Sequence, residues 1–151
     1  MADSLGATRY NAGRLAAPKT WGCRIGAYYD EYEAVNLAAA STLYMFLPCR
    51  GAKYAGMGQL AWDDLSATGT YTLSVGVGIT EAAVAAVPAA FLAATNVVAA
   101  ADMAELDAGA AAVTYLGYEF DGGTWVTITT AGTATDATGT IKLLMLMLMP
   151  T

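Results

Sequence analysis

The chain contains no histidine, which removes the usual general base near neutral pH and the commonest metal ligand. Ser-His-Asp and Cys-His mechanisms are excluded with it. Charge is scarce too: Asp, Glu, Lys and Arg make up 13% of the residues, about half the ordinary share. Seven Lys and Arg against thirteen Asp and Glu give a net charge of -6. That leaves too few cations to neutralise a row of phosphates, so direct binding of nucleic acid is not expected. Two cysteines, Cys23 and Cys49, are too few for a zinc site and are not spaced as a redox pair. Two reduced thiols are the simpler reading, with a disulfide between them as the alternative. No apolar run reaches the ~20 residues of a membrane-spanning helix, and Met1 to Ala17 lacks the apolar centre of a secretory signal. The expectation is a protein made in the cytosol, with no membrane association.

Apolar residues are plentiful, at 56% of the 151 residues. Alanine runs at 38–40, 82–86, 99–101 and 110–112 inflate that share, since each alanine buries little area. A surface with so few charges is still best explained if other subunits cover part of it. The length suits one domain. Residues 1–27 are polar and small, with Gly6, Gly13, Pro18, Gly22 and Gly26, and they hold Arg9, Arg14, Lys19 and Arg24. They read as an N-terminal arm without a core of its own. Either the arm is disordered or it orders against a neighbouring subunit through Leu15, Trp21 and Ile25.

From Tyr28 to Thr151 the pattern is that of a β-domain. Strands are expected at Tyr32–Ala40, Thr42–Leu47 (stopped by Pro48), Lys53–Ala61 and Tyr71–Val77. Further strands are expected at Ala112–Phe120, Thr124–Thr130 and Thr140–Met149. Tyr71–Val77 is the clearest, because Tyr71, Leu73, Val75 and Val77 share one face. Asp121-Gly122-Gly123 would join Ala112–Phe120 and Thr124–Thr130 as a hairpin. The last strand is apolar on both faces: Ile141, Leu143, Met145 and Met147 on one, Leu144, Leu146 and Leu148 on the other. Such a strand is buried on both sides, by the opposite sheet and by another chain. Residues 81–107 break the rhythm, and Pro88 followed by Ala89–Thr95 predicts a short helix in a long loop. The sum is an all-β antiparallel sandwich of jelly-roll type, with an immunoglobulin-like sandwich as the runner-up.

The acids do not assemble into chemistry. Asp63 with Asp64, and Asp102 with Glu105 and Asp107, sit in turn-like contexts, and their spacing matches no cation-wrapping loop. The glycine-rich stretches lack the order of a phosphate cradle. No catalytic residue, metal site or cofactor is expected. Tyr28, Tyr29 and Tyr32, beside Asp30, Glu31 and Glu33, form a candidate subunit interface, with sugar stacking as the alternative.

Several pieces carry a resemblance: Leu47-Pro48-Cys49-Arg50-Gly51-Ala52-Lys53; Leu60-Ala61-Trp62-Asp63; Thr70-Tyr71-Thr72-Leu73-Ser74-Val75-Gly76; Phe91-Leu92-Ala93-Ala94-Thr95; and Val126-Thr127-Ile128-Thr129 leading to Ala137-Thr138-Gly139-Thr140-Ile141. In these Ala-, Gly- and Thr-rich strands the chain resembles the small virion proteins of tailed bacteriophages, most closely jelly-roll capsid decoration or cement proteins. The resemblance covers about Tyr28 to Leu148 and rests on no single defining motif. It implies a non-enzymatic homotrimer on the capsid surface of a virion assembled in the host cytoplasm. There it would bind the major capsid protein and bridge neighbouring capsomers. A tail, neck or head-fibre component, with or without glycan binding, is the alternative.

Overall fold

The computed structural model describes residues 25–65, 68–79, 87–98, 100–106 and 116–150. They form eight strands: β1 (Ile25–Leu37), β2 (Thr42–Phe46), β3 (Lys53–Trp62), β4 (Tyr71–Gly78), β5 (Val87–Asn96), β6 (Asp102–Glu105), β7 (Trp125–Gly132) and β8 (Ala137–Leu148). Two four-stranded antiparallel sheets result, in the orders β1-β8-β3-β6 and β2-β7-β4-β5. No helix occurs among the described residues.

Strict alternation builds the core. Tyr71, Leu73, Val75 and Val77 of β4 point inward and are buried, as are Val126 and Ile128 of β7 and Ile141, Leu143, Met145 and Met147 of β8. The inner faces of the two sheets meet through aromatic contacts. Tyr28 of β1 lies 5.4 Å from Phe46 of β2, and Tyr54 of β3 lies 4.8 Å from Phe91 of β5. Each such side chain contributes about 1.5–3 kcal/mol by leaving water.

Three expectations are corrected. The helix predicted over Ala89–Thr95 is strand: Val87–Asn96 pairs with β4, with register irregularities on both sides of Val75↔Leu92. Pairing of Leu92 with Val75 of β4 and burial of Phe91 in the core outweigh the alanine-rich segment's intrinsic helix preference. The hairpin across Asp121-Gly122-Gly123 does not form in the described residues. β7 pairs with β2 and β4, while Glu119 makes an isolated bridge to Lys53; residues 112–115 lie outside the described set. Third, the first strand starts at Ile25, seven residues before the predicted Tyr32, and takes in Gly26 and Ala27.

Side-chain caps hold the loops. Asp121 Oδ1 accepts the backbone N–H groups of Gly123 and Thr124 at 2.8 and 2.9 Å, fixing the turn into β7. Asp136 accepts from the Thr68 amide at 3.0 Å and from its hydroxyl at 2.9 Å, joining two loops. Those donors favour the charged carboxylate and hold both aspartates below the ordinary carboxylate range, the Gly123 amide acting most strongly on Asp121 and the Thr68 amide on Asp136. A carboxyl group depressed in the folded state stabilises it above the group's unfolded pKa, and that contribution is lost as pH falls through the folded value. The Thr68 amide resonance should therefore move only below about pH 4. A midpoint for Asp136 at or above that of an unstructured aspartate, read by carboxyl NMR, would contradict the tie.

Candidate interaction face

β8 lies between β1 and β3, so both of its faces fall within the span of one sheet. Its inward residues are fully buried. Its outward residues are not: Leu144 and Leu146 are half-buried, and Leu148 is exposed. Of the two coverings expected for this strand, the opposite sheet supplies one, and the other face lies open in the single chain.

Strand pairing sets that face in rows. Tyr29 stands opposite Leu144, then Gln59, then Glu105. The next row is Ala27, Leu146 and Met57, and the next Ile25, Leu148 and Lys53. On the other side of the Tyr29 row come Glu31, Lys142, Ala61 and Met103. The middle is apolar and the margins carry charge. Five of the eight exposed large hydrophobic residues among those described, Ile25, Tyr29, Met57, Met103 and Leu148, belong to this face. Such clustering makes this face the candidate contact surface, whereas scattered exposed apolar residues are ordinary.

A groove of about 400 Å³ runs between β3 and β8, walled by Met57, Leu144 and Leu146, with Gln59 and Glu105 at one end. It follows from an irregularity in β3, where Tyr54 pairs with Met147 and Met57 with Leu146. Two residues, Ala55 and Gly56, bulge out. Gly56 takes φ 78°, a conformation that glycine adopts without steric cost.

The three candidate tyrosines do not share this surface. Tyr28 is fully buried, and its hydroxyl accepts the Cys49 amide at 3.1 Å. Tyr29 is 42% exposed and donates to Glu31 Oε2 at 3.1 Å. Tyr32 is half-buried and packs against the core. Strand alternation sends Tyr28 and Tyr29 to opposite faces, so one stacking platform for a sugar is not built. Ile25 lies on the outer face; Leu15 and Trp21 are outside the described residues. Cys49 is half-buried, and Cys23 is outside the described residues. Asp63 and Asp64 are exposed after β3, Asp63 capping the Asp64 amide at 2.8 Å. Among the described residues no three Cys, Asp or Glu side chains converge as metal ligands.

Sequence reasoning found the apolar outer row of β8 but missed Met57 and Met103, which join it only through pairing. Met57 is flanked by Gly56 and Gly58, and β6 is four residues long. Neither gives a periodic signal.

No protein-family model and no curated protein matches the chain. Solved structures do, two of them from phage capsids. A chain in the capsid of Ralstonia phage GP4 has a TM-score of 0.73 at 19% identity, over 94% of this chain and 94% of that one. A chain in the Cyanophage Pam1 capsid asymmetric unit has a TM-score of 0.59 at 24% identity, over 93% of this chain and 96% of that one. At these identities the likeness is one of fold.

Proposed function

We propose that this chain is a non-enzymatic structural protein of a bacteriophage virion: a capsid decoration protein that binds the outside of the coat-protein shell and bridges neighbouring capsomers. The observation that carries this reading is the superposition, nearly end to end, on a chain of the Ralstonia phage GP4 capsid. The strand order supports the jelly-roll form of the fold. Every connection from β1 to β8 passes between the sheets except β4 to β5, as two interlocked Greek keys require.

The chemistry fits a binding role. There is no histidine, and the carboxylates at Asp63, Asp121 and Asp136 cap turns or tie loops instead of converging. An apolar sheet face open in the single chain provides area that association would remove from water. The partners in this reading are the major capsid protein and further copies of the chain, as a homotrimer, on the surface of a virion assembled in the host cytoplasm. Weak contacts repeated by symmetry add through effective concentration, so no one contact has to be strong.

The test is the copy number in purified virions, measured by quantitative mass spectrometry against the major coat protein. A ratio of roughly one to one is expected of a protein spread over the shell. About a dozen copies would instead place it in the tail or neck, and its absence from virions would end the reading.

A further inference from the structure

We infer that the outer face of the β1-β8-β3-β6 sheet is the receptor for the first 24 residues of a second copy of this chain. The inference rests on the self-association part of the reading above. Its test uses isolated protein, so its failure would leave the virion assignment to the copy number.

The face and the segment are complementary. Arg9, Arg14, Lys19 and Arg24 precede Ile25, with Asp3 as the only acid there, whereas twelve Asp and Glu against Arg50, Lys53 and Lys142 follow. The same 24 residues hold Leu15 and Trp21. A segment that alternates long basic side chains with large apolar ones needs an apolar floor bordered by carboxylates. The floor is Leu144, Leu146 and Met57; Glu105 stands at the end of the groove and Glu31 on the next row, which also holds Lys142, while Lys53 lies on the Leu148 row at the far margin. Lys and Arg lay their methylene stems along apolar surface and keep their charged ends at a polar margin, and the groove has that shape for one such side chain.

The place where β1 begins argues for a second copy as the source. β1 is an edge strand, and Ile25 pairs with Leu148, while the groove lies further along at Leu144 and Leu146. A chain continuing the line of β1 backwards from Ile25 leaves its own sheet at the Leu148 end, away from its own groove. Twenty-four extended residues reach up to ~80 Å, against roughly 15–20 Å for the width of four strands. The segment is long enough to cross to a neighbour. Repeated around a ring, each copy gives one segment and receives one, a head-to-tail contact that closes.

The test is photo-crosslinking of the full-length chain with Met57, 53% exposed on the groove wall, replaced by p-benzoylphenylalanine. The tagged chain is co-expressed with an untagged one, and crosslinked tryptic peptides are identified by mass spectrometry. The expected links join position 57 of the tagged chain to Leu15–Lys19 or Thr20–Arg24 of the untagged chain. Glu105→Lys, at an exposed side chain, should lower their yield by roughly fivefold. Links to Leu143–Thr151 of the other copy would mean that the two sheets pack face to face. Links confined to one chain would mean that the segment folds back on itself. Either result, or oligomers with no link at position 57, would overturn the inference.

Discussion

Phe91→Ala is expected to lower the stability of the isolated chain by about 3–5 kcal/mol, the range for deleting a buried aromatic ring. Phe91 has no exposed surface. Its ring reaches across the core to Tyr54 of the opposite sheet at 4.8 Å and lies 6.4 Å from Phe120. Alanine would leave a cavity walled by both sheets, which cannot close without moving a strand. Against a total stability of about 5–15 kcal/mol, the loss is a large fraction, and the melting temperature should fall by roughly 10 °C. Denaturant titration gives the number. A change below about 1 kcal/mol would mean that the sheets are not joined at this ring.

Gly76→Ala should be comparably severe for a different reason. A Cβ at Gly76 would lie 2.0 Å from the carbonyl oxygen of Val87 and 2.5 Å from the carbonyl carbon of Pro88. Both obstacles are backbone, so no side-chain rotation relieves them. Either β4 bends or the start of β5 lifts away, with the Val77↔Val87 pairing lost. Overpacking of this kind costs about 3 kcal/mol, and amide hydrogen exchange should accelerate through Val87–Ala90. Gly123→Ala is the control, because its nearest contact would be an ordinary 3.7 Å to Asp121 Oδ1. Equal stability of the two variants would show that the Val87 carbonyl does not sit on Gly76.

The clearest strand is the one whose alternation is unbroken: Tyr71–Val77 becomes Tyr71–Gly78. Lys53–Ala61 becomes Lys53–Trp62, although a two-residue bulge at Ala55 and Gly56 interrupts its period. The misreadings trace to places where tertiary pairing decides. Val87–Asn96 carries Ala89, Ala90, Ala93 and Ala94, which suit a helix, and the pairing with β4 together with the burial of Phe91 and Leu92 makes it a strand. At Ile25–Glu31 glycine, alanine and an inward-facing Asp30, 1% exposed, disguise a period of two. With the first strand expected only from Tyr32, Tyr28 and Tyr29 looked like neighbours on one surface, while in fact they face opposite ways. The interaction face was half legible. The leucines of β8 announce it in the sequence, but Met57 and Met103 reach it through strand order, which no local pattern encodes.

The pairing of the last strand with the first also governs when the protein becomes usable. Among the described residues β1 has β8 as its only neighbour in its sheet, and β3 meets β8 along its other edge from β6. While the ribosome is making the chain, β1 waits without a ladder until residues 137–148 have emerged. The long sequence separation of that contact makes its closure a late folding event. The leucine rows and the groove beside them are created by the same closure. A chain released early therefore carries neither the leucine rows nor the groove beside them.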